Sequence, residues 1–168
     1  MTQGSPAISN AVKQEIVEPF VKGTMVTLKT MAGPEVQLES IKVSGEDKLT
    51  GDVSGVMGLS GKGGEGFVAI TFHESLAKQI VSHLLGLDVS ELQEADIWDG
   101  VGEIINMIAG DAKRAFLGTP YQFDIALPNI ITGSGHEIGY RTETTCYVAA
   151  FTLDDNRFHL LVALSRRE

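Results

Sequence analysis

The sequence predicts an α+β domain in which an antiparallel β-sheet carries long helices packed on one face. Three observations predict it. Apolar residues recur at helical spacing in the first thirty residues and again from about Glu74 to Phe116, with alternating, β-branched segments between and after these blocks. The order is therefore one helix, three strands, two helices and three strands. Like elements come in groups, which suits an antiparallel sheet better than alternating crossover units. One hairpin is also explicit, since residues 144–153 and 158–165 flank the turn signal Asp154-Asp155-Asn156.

Taken in order, residues 8–31 place Val12, Ile16, Phe20, Val21, Leu28 and Met31 at spacings of three, four or seven. Pro19 predicts a kink or a restart there, and Gly33-Pro34 a stop. Val36, Leu38 and Ser40 alternate with polar neighbours, and Ile41 and Val43 continue after a shift of phase. Val53, Gly55, Met57 and Leu59 share one strand face, with Asp52, Ser54 and Ser60 opposite. Residues 67–72 read as a short apolar strand, and the glycine-rich residues 58–66 as the hairpin between them. Leu76, Ile80, Leu84 and Leu87 form a helical stripe stopped near Gly86. Ser90-Glu91-Leu92-Gln93 fits a capping box opening a long helix, which ends at Gly118-Thr119-Pro120. Residues 123–128 predict a short strand and residues 132–139 a glycine-bearing loop.

At 168 residues the chain has the length of one domain, 1–168, with residues 1–7 expected as a flexible tail. A net charge of −9 argues against nucleic acid, which needs a basic stripe, and against an anionic membrane surface. One cysteine, Cys146, excludes an internal disulfide framework and suits a reducing compartment. The start lacks a basic n-region and an apolar h-region, and no apolar run approaches the roughly 20 residues that span a bilayer. A soluble cytoplasmic protein is the expectation.

Several motifs fail on inspection. Gly61-Lys62-Gly63-Gly64-Glu65-Gly66 matches G-x-G-x-x-G, but a strand follows where a dinucleotide site needs a helix. His73, His83, His136 and His159 show no metal-ligand spacing, and Ala77 occupies the second histidine position of a zinc-protease motif. No metal site is expected. Cys146, between Thr145 and Tyr147, reads as a small buried hydrophobe.

The helix around residues 96–116 carries the functional signal. At about 100° per residue, Ile97, Val101, Ile104, Ile105, Ile108, Ala112 and Phe116 fill one broad face. Asp99, Glu103, Asn106 and Gly110 fall opposite, within an arc of roughly 60°, flanked by Met107 and Lys113. Such a stripe is usually just a solvated face. Two details speak for more. Asn is a poor filler for a solvated helix position, and Gly100, Gly102 and Gly110 each cost about 1 kcal/mol against alanine. Glycine lets another surface approach closely.

The pattern Asp99-x-x-x-Glu103-x-x-Asn106, continued by Met107-Ile108-Ala109-Gly110-x-Ala112-Lys113, resembles the signature helix of the CheC/CheX phosphatases of bacterial chemotaxis. Pro128 matches the proline of that pattern, and Glu18-Pro19-Phe20 with Thr30-Met31 is similar to the family's opening. A single Glu-x-x-Asn points to the CheX type. The resemblance implies hydrolysis of the aspartyl phosphate of a CheY-type receiver domain. Asn106 then orients the attacking water, as a glutamine does in GTPases, and Glu103 meets a lysine of the receiver. Asp99, Gly110, Met107 and Lys113 are supporting or partner-binding residues. Mg²⁺ comes with the receiver and no cofactor is held by this chain. A homodimer sharing a sheet through the edge-like strands after Phe123 is also implied. The alternatives are a non-catalytic receiver-binding or flagellar-switch-like scaffold, and a phosphatase for a receiver of another pathway.

Overall fold

The computed structural model describes residues 4–33, 35–44, 49–62, 64–139 and 144–166. Among them the chain forms β1 (Ala7–Ile8), α1 (Gln14–Ala32), β2 (Gln37–Val43), β3 (Thr50–Ser60), β4 (Gly64–Phe72), α2 (Glu74–Leu85), α3 (Glu94–Ala115), β5 (Asp124–Ile125), β6 (Asn129–Glu137), β7 (Cys146–Leu153) and β8 (Asn156–Arg166). One sheet runs β1-β2-β7-β8-β4-β3, and β5 and β6 both pair with the far edge of β3. All pairings are antiparallel except β1 with β2, so the α+β sheet is mixed at one edge.

The alternation that predicted the strands sorts their side chains. Val53, Met57 and Leu59 of β3, Val68, Ile70 and Phe72 of β4, and Leu160, Val162 and Leu164 of β8 are buried in one core with the three helices. The phase shift in β2 is a bulge between Leu38 and Ser40. Asp154 and Asp155 take positive φ (47° and 65°) and make the two-residue turn joining β7 to β8, whose tight hairpin geometry demands that conformation. Of the G-x-G-x-x-G segment, Gly63 lies outside the described residues, and Gly64 starts β4, so a strand and not a helix follows. Gly66 is small because β8 lies so near: a β carbon there would stand 1.7 Å from the Ala163 carbonyl oxygen. Cys146 is buried, as expected.

Four expectations need correction. Helix α1 starts at Gln14 rather than near residue 8, because Ala7 and Ile8 pair with Ser40 and Ile41; Ala7, assigned to the tail, thus belongs to β1. Pro19 does not restart the helix. So near the N-terminus it removes a single i→i−4 bond, and buried Ile16, Val17, Phe20 and Val21 hold the flanking turns to the core. The capping box predicted at Ser90 is displaced. Residues Val89–Glu91 form a short 3₁₀ turn, and α3 is opened by Gln93, whose N–H donates to Asp96 Oδ2 at 2.9 Å. Residues 132–139 are no loop, since most of them belong to the nine-residue edge strand β6. Solvent exposure of residues 131–135, Gly133 and Gly135 at positive φ, and a register shift against Gly51 and Val53 erase the period-two pattern.

Helix α3 is the element that positions the candidate site. It packs on the sheet and against both other helices, and glycine permits both helix contacts. At Gly23 of α1 a β carbon would lie 3.2 Å from the Ile108 carbonyl oxygen, and at Gly100 of α3 one would lie 2.6 Å from Val81 Cγ2 of α2. Phe20, Phe116 and Phe123 close the C-terminal end, with Phe20 and Phe123 stacked at 5.9 Å. No helix among the described residues is long and apolar enough to cross a membrane.

Candidate functional site

The inner face of α3 is the predicted one: Ile97, Val101, Ile104, Ile105, Ile108, Ala112 and Phe116 are all buried. Burying that face turns the opposite stripe outward. Asp99, Glu103 and Asn106 are exposed, Gly110 is half-buried, and together they line the solvent side of the helix. Among the described residues no side-chain hydrogen bond or ion pair engages Asp99, Glu103 or Asn106. A helix surface of this length usually laces its charges into i,i+4 pairs. Here two carboxylates and a carboxamide stand free in one row.

The three glycines differ in role. Gly100 and Gly102 are buried, the first against Val81 and the second near Pro128 and Ile130. Only Gly110 lies on the outward stripe, and no atom stands within 4 Å of the point a β carbon would occupy. Nothing inside the chain requires a glycine at that position, so the packing explanation that covers Gly100 does not cover Gly110.

The flanks are set by ion pairs and by packing. Lys113 Nζ lies 3.2 Å from Asp124 Oδ1, and the Arg114 guanidinium pairs with Asp111. Both cations in the last turn of α3 are thereby matched, while Asp99 and Glu103 further up are not. The outward stripe is therefore acidic toward its N-terminal half and suits a cation there. Met107 is half-buried and packs against the core, so it offers at most one edge to the surface.

Pro128 is half-buried and sits beside α3, its Cγ 3.9 Å from where a Gly102 β carbon would stand; Ile130 Cδ1 is 3.7 Å from the same point. The fold thus brings Pro128 to the helix that carries Glu103 and Asn106, one turn from the carboxamide. Leu127, in the same β5–β6 connection, is 85% exposed.

Elsewhere the titratable groups serve the fold. Ser54 Oγ lies 2.7 Å from His136 Nε2, and His136 Nδ1 lies 2.8 Å from the Gly133 carbonyl oxygen. The Ser54 hydroxyl donates to Thr71 Oγ1 at 2.8 Å, which ties it to β4 as well. Ser54 is fully buried, so this pair ties β6 to β3 and presents no nucleophile to a substrate. On the sheet face away from the helices, burial and the positive charges of Arg157 and Lys42 hold His159 below the usual histidine range. Among the described residues no three His, Cys, Asp or Glu side chains converge on a possible metal position.

The chain is similar in sequence and fold to known chemotaxis proteins. The family model described as chemotaxis phosphatase CheX matches residues 53–152. Chemotaxis protein CheX from Vibrio vulnificus is 34% identical and superposes with a TM-score of 0.83, over 90% of this chain and 99% of that one. A CheX from Desulfovibrio desulfuricans is 33% identical, with a TM-score of 0.81 over 90% and 99% of the two chains. The CheX–CheY–BeF₃–Mg²⁺ complex from Borrelia burgdorferi contains a chain of the same fold, at 23% identity and a TM-score of 0.74, covering 91% of this chain and 98% of that one. Comparison with curated proteins finds no match.

Proposed function

Because the chain belongs to the CheX family of chemotaxis phosphatases, we propose that it hydrolyses the aspartyl phosphate of a CheY-type receiver domain, with Asn106 and Glu103 as its working residues. The observation that carries this reading is the pair itself. A carboxamide and a carboxylate stand three residues apart on the outward face of α3, exposed and, among the described residues, without side-chain partners. That a CheX of the same fold forms a complex with CheY supports the receiver as partner.

The chemistry follows from the residue types. Hydrolysis breaks the bond from phosphorus to the aspartate oxygen and forms one from phosphorus to water, releasing inorganic phosphate and the receiver's carboxylate. A carboxylate beside the phosphoryl group would repel it, whereas a neutral amide holds a water in line without that cost. Asn106 is the amide. Its Oδ1 accepts a hydrogen from the water and points the oxygen lone pair at phosphorus. Glu103, one turn away, takes a cation of the receiver and fixes the register of the complex. Asp99 extends the acidic row and Gly110 leaves room for the partner's surface. Mg²⁺ belongs to the receiver, where it neutralises the phosphoryl oxygens. A hundredfold gain over unaided hydrolysis needs about 2.7 kcal/mol, within what positioning one water supplies.

The receiver-facing helix leaves β6 available for self-association. Among the described residues the only strand paired with β6 is β3, and a second copy of the chain can add along residues 129–136 by antiparallel pairing. A homodimer through this edge extends the sheet and keeps both α3 faces open.

The experiment is phosphate release from a CheY-type receiver charged with acetyl phosphate. Asn106→Ala is expected to abolish release while still binding the phosphorylated receiver, and Glu103→Ala to weaken binding and turnover together. Undiminished release by Asn106→Ala rejects the assignment. Wild-type protein that co-elutes with the receiver without speeding release is a scaffold.

A further inference from the structure

Helix α2 carries its apolar face further than the rest of the protein covers it. Leu76, Ala77, Ile80 and Val81 are buried, and Leu84 and Leu85, one turn beyond Ile80 and Val81, continue the same face. Both are nevertheless exposed. The helix ends at Gly86, in the left-handed conformation, and the Leu87 N–H folds back onto the Ser82 carbonyl at 3.1 Å. Leu87 and the nearby Val89 are exposed as well, so that four of the nine exposed large apolar side chains among the described residues fall within six positions, at 37–48% exposure. Isolated exposed apolar residues are ordinary, but a cluster of this kind marks a surface that another molecule covers. Val89 also borders a groove of about 420 Å³ that reaches Ile80 and Leu153, with Gln79 and His83 beside it.

The charge along this stretch has one sign. Residues 79–112 contain no lysine or arginine and seven carboxylates, four of which, Asp88, Glu91, Glu94 and Asp96, fall in the nine residues after Leu87. Glu91 and Asp96 accept backbone N–H groups, and no ion pair among the described residues neutralises any of the four. Gln79 Nε2 donates to Asp154 Oδ2 at 3.1 Å, which brings a further carboxylate to the groove. A second copy of the chain is a poor occupant, since the same carboxylates would face one another across a two-fold axis. The complementary surface is apolar and bordered by cations. We propose that Leu84, Leu85, Leu87 and Val89 form a docking shelf for a basic amphipathic segment of a partner protein other than the receiver. Its apolar side covers the shelf and its lysine or arginine side chains meet the surrounding carboxylates. The shelf lies on α2 and the turn after it, and shares no residue with the outward row of α3, so it does not depend on the phosphatase reading.

The probe is a fluorescein-labelled amphipathic helical peptide of leucine and lysine, with a leucine–glutamate peptide of the same pattern as control, and anisotropy reads binding to the intact protein. The wild type is expected to bind the basic peptide and not the acidic one. Leu85→Gln with Val89→Gln should weaken that binding about tenfold, equal to about 1.4 kcal/mol. Glu91→Gln with Glu94→Gln should weaken it about threefold and flatten its dependence on salt. Both glutamates are exposed, and glutamine keeps the bond from the Asp88 N–H, so this second variant decides the case if the first fails to fold. Equal binding of the two peptides, or binding that a folded variant leaves intact, overturns the proposal. Phosphate release from a receiver charged with acetyl phosphate should keep its KM in Leu85→Gln with Val89→Gln. A raised KM assigns the shelf to the receiver, and a smaller sedimentation coefficient of the free protein assigns it to a second copy; either result also overturns the proposal.

Discussion

Gly110→Ala separates the needs of the fold from those of the partner. No atom lies within 4 Å of the position its β carbon would take, and the residue is an interior residue of α3. Alanine therefore meets no obstacle and gains about 1 kcal/mol of helix propensity. For a chain of this size that is roughly 2–4 °C in Tm. Gly100→Ala, ten residues earlier in the same helix, is the control. There the β carbon would stand 2.6 Å from Val81 Cγ2 and 3.3 Å from Cγ1, so α2 must shift or Val81 must leave its rotamer. Overpacking of this kind costs about 1–3 kcal/mol and equals or outweighs the propensity gain. Thermal unfolding followed by circular dichroism, with phosphate release measured on the same preparations, reads both effects. Gly110→Ala should melt higher yet release phosphate more slowly, because a methyl group now occupies the space left for the receiver. Gly100→Ala should melt no higher than wild type. A lower Tm for Gly110→Ala would refute the claim that this face is open, and a higher Tm with undiminished turnover would refute its part in docking.

Two further outcomes are expected. Asp52 Oδ2 accepts the Glu74 N–H at 2.8 Å, in the first turn of α2, and Oδ1 accepts the Gly135 N–H in β6 at 2.9 Å; these two bonds, with His73 and His136 adding, hold its carboxyl below the usual range. A lowered carboxylate pKa stabilises the fold above the unfolded value and is lost as pH falls through the folded one. Asp52→Asn should thus cost about 1–3 kcal/mol at neutral pH, with the gap to wild type narrowing as pH drops from about 4; an equal gap at both ends would count against it. For the dimer, Ile131→Lys places a charge at a 41% exposed position of β6, so the wild type should sediment as a dimer and the variant as a monomer, whereas two monomers would exclude pairing through this strand.

Much of the molecule was legible in the order of residues, for a local reason. Helical and strand periods, the Asp154-Asp155 turn and the stop at Gly33 depend on neighbours in the chain, and each reappears in the fold. The broad apolar face of α3 alone dictated that Glu103 and Asn106 would face solvent, since a helix that buries Ile104, Ile105 and Ile108 must expose the residues about 180° away. What resisted was set by partners distant in sequence. Residues 132–137 form a strand because β3 supplies hydrogen bonds, not because their own pattern alternates. Gly100 is a contact with Val81 and Gly110 an opening, although the two glycines look alike in the chain. The register of residues 124–128 beside α3, held by Lys113 and by packing near Gly102, likewise required the tertiary structure. Local covalent geometry settled which side of the helix could be a site; packing between remote segments decided what stands around it.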